Sequence, residues 1–395
     1  MKRRVLIRIL HPSLLALIFS NVLLSACGSP IPPGPVTQVQ TQVAQRTLTP
    51  ASHSDTIQIN GAGATFPLPI YAEWIYAYSL IDATVEINYE GIGSGDGKKA
   101  IIAHAVDFAG SDSLLNDEEY EAGEDLQLYP ILAGAVVIIY NFKPATAYPD
   151  DFETPALVLD RQTLVDIYNG TVNRWNDPRI LALNPLLAGY LPEASITVVH
   201  RSDASGTTEL LAKSLTSFSA DWTAGSTSAI DWPVDGTGNG VGAKGNQGVA
   251  EAVINTANSL GYVELSYAIS NSLTYADMIN RAGRKVTANA ESLESAINDF
   301  GTGAFDDKLT ATIVDGDGRN SWPMSGFTYL ILHTSSMSDC VKARKLLEYI
   351  HWTLTDATAG QRAAKRGYAV LPDSVRDRVL TKLDEVTCNG QPIMQ

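Results

Sequence analysis

The sequence predicts an α/β protein built as two lobes, and three observations carry that expectation. At 395 residues the chain is longer than one typical domain. Its first half repeats one arrangement: an apolar strand, a turn of small residues, then a helix. The run Leu132–Tyr140, LAGAVVIIY, is apolar without alternation, as in a strand covered on both faces.

Each element follows from its own pattern. Ile57-Gln58-Ile59 is a strand leading into Gly61-Ala62-Gly63-Ala64-Thr65. From Phe66 to Leu80 the apolar residues Ile70, Trp74, Ile75 and Tyr78 fall at helical spacing, and Pro67 suits a first turn that needs no N–H. Thr84–Tyr89 is a strand that ends in GIGSGDG, followed by a short helix over Lys98–Ala105. Val106–Asp112 is a third strand-to-turn passage. The middle of the chain has elements at Ile196–Val199, a helix after Ser205, and further elements at Gly248–Ala257 and Tyr262–Tyr267. Thr328–Leu332 is again an apolar strand, followed by a helix through Val341–Thr355. We expect this last part to return to the first lobe. Lobe I is then residues 55–140 plus 323–395, lobe II is 141–322, and two crossovers form a hinge.

The N-terminus carries a targeting signal rather than fold. Lys2, Arg3, Arg4 and Arg8 precede an apolar stretch, Ser13–Leu24, that ends in Leu24-Ser25-Ala26-Cys27. Small residues before a cysteine resemble the bacterial lipobox. On that reading residues 1–26 are a signal peptide, Cys27 is lipidated, and the alternative is an ordinary secretory signal with a chance cysteine. Arg8, His11 and Pro12 interrupt the apolar run, which argues against a retained spanning helix. Residues 27–54, rich in Pro, Gln, Thr and Ser, then read as an extended tether. An exported chain with two further cysteines, Cys340 and Cys388, and no CxxC spacing predicts a disulfide between them.

The net charge of −15 and the lack of a basic block beyond the leader exclude a nucleic-acid or anionic-membrane surface. A local site can still hold a small anion. Three junctions share one design: GAGATFP at 61–67, GIGSGDG at 91–97 and SDASGTT at 202–208. Each offers free N–H groups at a helix start and a hydroxyl from Thr65, Ser94, Ser205 or Thr207. Ser and Thr also cap helices and Gly also turns chains, but three such junctions, one with Arg201 and Asp203, point to a shared anion. Nucleotide motifs fail. GxGxxG would need Gly where Asp96 stands, and a P-loop would need Gly at Ile92 and Ser or Thr at Lys99. Ser205 beside His200 could be read as nucleophile and base, but it lies in S-G-T, outside a G-x-S-x-G elbow. No HExxH or HxH offers a metal site, and no cofactor or catalysis is expected.

At these residues the chain resembles the PstS family, the phosphate-binding proteins of bacterial ABC phosphate importers. The resemblance runs from about Ile57 to Asp377. It is carried by NGAGATFPLPIYAEW, INYEGIGSG, VDFAGSD, HRSDASGTT, KGNQGVAEAV, GYVELSYA and GYAVLPDSV. It implies a two-lobed periplasmic-binding-protein fold of type II-like build, each lobe a mixed sheet flanked by helices, with a two-strand hinge. It also implies an extracytoplasmic monomer, in the periplasm or at the cell surface, that hands inorganic phosphate to permease subunits. The family's site residues map onto Thr65 and Phe66 of the first loop, Ser94 of the second and Asp112 of the third. From the other lobe they map onto Arg201, Asp203, Ser205, Gly206 and Thr207. Two departures stand out: GIGSGDG in place of GIGSSGG, and His200 where a basic residue is common. Near neutral pH phosphate carries one or two protons and sulfate none. A buried carboxylate at Asp112 can accept a P–OH but faces lone pairs on sulfate. Asp203 is expected to hold the Arg201 guanidinium. The rival readings are a receptor for another oxyanion such as sulfate or molybdate, a secreted phosphatase, and a sensing or adhesive protein without a transporter.

Overall fold

The long apolar run organises the molecule. It becomes the central strand of a nine-stranded sheet in the computed structural model, which describes residues 56–394. The leader, the tether and Cys27 lie outside the described residues.

In chain order the first half comprises β1 (Ile57–Gly63), α1 (Leu68–Ser79), β2 (Val85–Gly91), α2 (Ser94–Ile102), β3 (Phe108–Ser111), α3 (Asp117–Gly123) and β4 (Leu126–Asn141). The middle comprises β5 (Val158–Asp160), α4 (Arg161–Tyr168), α5 (Pro178–Leu183), β6 (Thr197–Arg201), α6 (Gly206–Phe218), β7 (Gly240–Ala243), α7 (Gly245–Asn255), β8 (Ser259–Glu264), α8 (Leu265–Ser270), β9 (Asp277–Ile279), β10 (Lys285–Val286) and α9 (Ala290–Phe300). The last part comprises β11 (Ser325–His333), α10 (Cys340–Thr355), α11 (Ala357–Lys365), β12 (Ala369–Val370), α12 (Asp373–Asp384), β13 (Thr387–Cys388) and β14 (Gln391–Pro392).

The main sheet runs β2-β1-β3-β11-β4-β8-β6-β7, and β12 also pairs with β4. Pairing divides along β4. Residues Leu126 to Ala135 pair with β11, whereas Val136 to Asn141 pair with β8. One strand of 16 residues thus serves both halves, and 13 of its first 14 positions are buried, as an uninterrupted apolar run requires. Beside the change of partners, the Val136 N–H donates to the Met324 carbonyl at 2.9 Å and Trp322 Nε1 donates to the Val136 carbonyl at 2.9 Å. Chain entering and leaving the middle segment is therefore stitched together at one place. The α/β class and the binding-protein architecture are as expected, with the added finding that the two sheet halves share a strand.

Local patterns explain most elements. In α1 the buried residues Ile70, Tyr71, Trp74, Ala77 and Tyr78 form one stripe at 0, 1, 4, 7 and 8 along the helix. Pro67 takes the N-cap position, just before the helix. The segment Tyr262–Tyr267 splits: β8 ends at Glu264, whose side chain caps α8 by accepting from the Ser266 N–H. Cys340, the first residue of α10, and Cys388 in β13 are disulfide-bonded, which ties the C-terminal hairpin to that helix. Among the described residues no helix is long and apolar enough to cross a membrane.

Candidate functional site

The three junctions read from sequence meet, and a fourth joins them. The starts of α1, α2, α6 and α7 lie together at the carboxyl ends of β1, β2, β6 and β7, where open α/β sheets place their ligands. Ser94 is the first residue of α2. Its Oγ accepts from the Asp112 N–H at 3.2 Å and from the Gly206 N–H, at the start of α6, at 3.2 Å. The Gly95 N–H reaches the Ala204 carbonyl at 3.1 Å. The second loop therefore touches the 202–208 loop directly. Gly206 is glycine for a steric reason: a Cβ there would stand 2.5 Å from the Asp112 Cβ. At Gly93, with φ 99°, a Cβ would stand 2.6 Å from Asp203 Oδ2.

Arg201, the last residue of β6, is almost wholly buried. Its Nε donates to Asp203 Oδ1 at 2.7 Å, Nη2 donates to Asp203 Oδ2, and Nη1 donates to Thr207 Oγ1 at 3.4 Å. The Arg201 N–H bonds the Tyr262 hydroxyl at 3.1 Å, which fixes the backbone. Burial alone would raise the Asp203 carboxyl, but the fork from Arg201 and the Gly245 N–H hold it below the ordinary carboxylate range. Asp203 is thus an ionised clamp on the guanidinium, whose remaining N–H groups are available to an anion.

Asp112 behaves differently. Burial pushes its carboxyl up to about 7, against the pull of the Thr328 hydroxyl, Arg201 and Ser94, while Glu209 adds to the rise. Thr328 Oγ1 donates to its Oδ1 at 2.8 Å and Ser94 Oγ to its Oδ2 at 3.4 Å. A carboxyl poised near neutrality, enclosed with a guanidinium and several hydroxyls, suits proton-sensitive recognition of an oxyanion.

Two side chains that sequence reasoning missed complete the arrangement. Asn246, in the first turn of α7, is fully buried. Its Nδ2 donates to Thr65 Oγ1 at 2.9 Å and to Thr207 Oγ1 at 3.1 Å, and its N–H donates to Thr65 Oγ1 at 3.2 Å. Glu264, fully buried at the end of β8, accepts from Tyr368 at 2.8 Å, and burial pushes its carboxyl up to about 8. The single Tyr368 proton is shared between Glu264 and the Phe66 carbonyl, 2.7 Å away, and Tyr267 donates to the Thr65 carbonyl at 2.5 Å. Both carbonyls of the first loop are therefore held from behind. The KGNQG stretch carried a signal for Asn246, since it too sets small and polar residues before a helix. No strand signal precedes it, because β7, GVGA, has no apolar pattern.

Thr65, Ser94, Asp112, Arg201, Asp203, Gly206 and Thr207 thus belong to one connected network. Phe66 lies behind it, buried, with its ring against Tyr368. Ser205 caps α6, its Oγ accepting the Thr208 N–H at 3.1 Å. His200 is not paired with Ser205. Its ring nitrogens face Asp235 Oδ1 at 2.8 Å and the Arg201 carbonyl at 3.1 Å. Asp96 pairs with Lys99 on the exposed side of α2, away from the network. Among the described residues no group of three potential metal-ligating side chains occurs.

Comparison with known proteins fits this arrangement. A family model described as a PBP superfamily domain matches residues 49–357, so the class is that of the two-lobed binding proteins. The phosphate-binding protein PstS of Xylella fastidiosa (strain Temecula1) is 35% identical over 340 residues, covering 85% of this chain and 87% of its own. The phosphate-binding protein PstS of Pasteurella multocida is 35% identical over 342 residues, covering 85% and 93%. A solved high-affinity periplasmic phosphate-binding protein, PfluDING with bound phosphate, shares the fold at a TM-score of 0.65 and 20% identity, over 82% of this chain and 93% of that one. The chain belongs to the PstS family of phosphate-binding proteins, a family of substrate-binding receptors rather than enzymes.

Proposed function

We propose that this chain is an extracytoplasmic receptor that binds inorganic phosphate between two lobes and delivers it to the permease of an ABC importer. The observation that carries the reading is that Asp112, bonded by Ser94 and under the pull of Arg201, shares one site with the Thr207 and Thr65 hydroxyls, which Arg201 and Asn246 link together. Arg201 and the helix-start N–H groups of Phe66 and Thr207 supply positive potential, the Thr65 and Thr207 hydroxyls donate, and Asp112 accepts a phosphate proton and disfavours sulfate. Asp203 keeps Arg201 aimed. Residues 55–140 with 323–395 act as one lobe and 141–322 as the other, hinged where β4 changes partners. Phosphate closes them because it contacts both. Cys27 bears the lipid that holds this monomer at the membrane, and the 27–54 segment is its tether.

The test is calorimetric titration of the chain with phosphate, sulfate and arsenate. Tight phosphate binding with sulfate excluded is expected. Sulfate binding as tight as phosphate would overturn the specificity, and hydrolysis of a chromogenic phosphomonoester would overturn the receptor role.

A further inference from the structure

The hydroxyls of this site differ from ordinary hydroxyls in what they are free to do. A hydroxyl has one proton to give and two lone pairs to accept with. Thr65 Oγ1 receives both the Asn246 N–H at 3.2 Å and Asn246 Nδ2 at 2.9 Å. Thr207 Oγ1 receives Asn246 Nδ2 at 3.1 Å and Arg201 Nη1 at 3.4 Å. All four lone pairs are engaged, three of them by Asn246. The orientation of the Asn246 amide is settled by its other end, because Oδ1 accepts the Glu264 N–H at 2.9 Å, which only an oxygen can do. The NH2 group therefore faces the threonines, with one hydrogen for each.

We infer that Asn246 is a positioning residue that sets the polarity of the site. By filling the lone pairs of Thr65 and Thr207, it leaves each hydroxyl able only to donate to a bound anion. The inference rests on the phosphate reading and deepens it by naming the protonation state bound. Ser94 differs: its lone pairs are held by the N–H groups of Asp112 and Gly206, and its proton is turned to Asp112 Oδ2 at 3.4 Å. Two hydroxyls, on the first loop and on the 202–208 loop, then offer protons to oxygens that lack them, and Asp112 alone takes one back. A singly protonated phosphate dianion satisfies that set. The doubly protonated monoanion brings a second P–OH that finds donors where it needs an acceptor.

The titratable and charged groups around the cluster are Asp112 beyond β3, Arg201 and Asp203 at the end of β6, Glu264 at the end of β8, Tyr267 of α8, and Tyr368 before β12. All are present unchanged in a variant altered only at Asn246, so a difference in pH profile between variant and parent reports the hydroxyls.

The experiment measures the phosphate dissociation constant of the full chain from about pH 5.5 to about pH 8 by calorimetry, with Asn246→Ala and Asn246→Asp beside the parent, and thermal unfolding as the check on folding. The parent should weaken as pH falls through the second ionisation of phosphate. Asn246→Ala frees two hydroxyls to accept. It should bind at least about tenfold more weakly at the upper pH and lose most of the pH dependence. Asn246→Asp presents an acceptor, draws both hydroxyl protons to itself, and should bind more than about a hundredfold more weakly. An Asn246→Ala profile that parallels the parent, displaced by a constant factor, would overturn the inference, as would Asn246→Asp binding within about threefold of the parent. A parent that binds no phosphate at any pH would instead sink the receptor reading itself. If Asn246→Asp fails to fold, the Asn246→Ala profile decides alone.

Discussion

Replacing Asp112 with asparagine tests the proton-reading role most directly. The carboxyl is enclosed by Thr328, Ser94 and the backbone of Gly206, so an isosteric amide fits the same space. In the parent at neutral pH and above, a sulfate oxygen meets an ionised Asp112, acceptor against acceptor. A buried polar group left unpaired costs about 1–3 kcal/mol, and more when charged. At about 1.4 kcal/mol per tenfold, that is about 5- to 150-fold of discrimination held by this one side chain. In Asp112→Asn the amide NH2 can donate to sulfate, so the ratio of phosphate to sulfate affinity should fall by that factor. The structure adds a second, independent signature. Because burial pushes Asp112 up to about 7, the parent's carboxyl gains a proton below neutrality and can itself donate to sulfate. Sulfate exclusion in the parent should therefore weaken from about pH 8 to about pH 5.5, while the ratio in Asp112→Asn changes only with phosphate's own ionisation. Competition calorimetry with both anions at the two pH values reads both effects. A variant that excludes sulfate as well as the parent does, together with no pH effect in the parent, would refute the reasoning.

Arg201→Lys keeps the charge but cannot span both oxygens of Asp203 or reach Thr207 with a planar fork; phosphate affinity should fall at least about thirtyfold by calorimetry, with little change in unfolding temperature. Reducing Cys340–Cys388, or replacing both residues with serine, opens a loop of sequence separation 48 and should cost about 4 kcal/mol of unfolding free energy in urea while leaving phosphate binding intact, since the bond lies at the C-terminal hairpin. The carboxyls of Asp112 and Glu264 are both raised by burial, to about 7 and about 8, so the folded state holds protons that the unfolded chain releases near pH 4. Stability without ligand should therefore be highest in mild acid and decline as pH rises from about 4 to about 8; Glu264→Gln should remove part of that decline, and urea midpoints that rise across this window would contradict it.

The strands of the first half were legible because β1 and β2 begin with alternating apolar and polar residues and β4 runs apolar without alternation, and α1 shows a single buried stripe. The loop residues were legible because an N-terminal helix turn needs small residues and hydroxyls wherever it stands in the chain. Other parts depend on contacts that no local window contains. α8, LSYAIS, is a six-residue helix with its first four residues buried, too short to show a helical period and apolar enough to prolong the strand before it. β7 is a strand only because β6 is beside it. Asn246 takes its meaning from Thr65, 181 residues away, and Glu264 from Tyr368, 104 residues away. The polarity of a hydroxyl is likewise a property of its neighbours, so HRSDASGTTEL shows that Thr207 is present but not which way its proton must face.

The strand that serves both halves bears on how such a chain can be inherited. Dividing the protein at Ala135 and Val136 would cut through the middle of the sheet and leave each fragment with a raw edge of unpaired N–H and C=O groups, flanked by apolar side chains. Neither fragment could be traded for its counterpart in another receptor without rebuilding the seam at Trp322, Met324 and Val136. Recombination would therefore have to pass the two halves on as one indivisible cassette, and new specificities would arise by changing loops rather than by exchanging lobes.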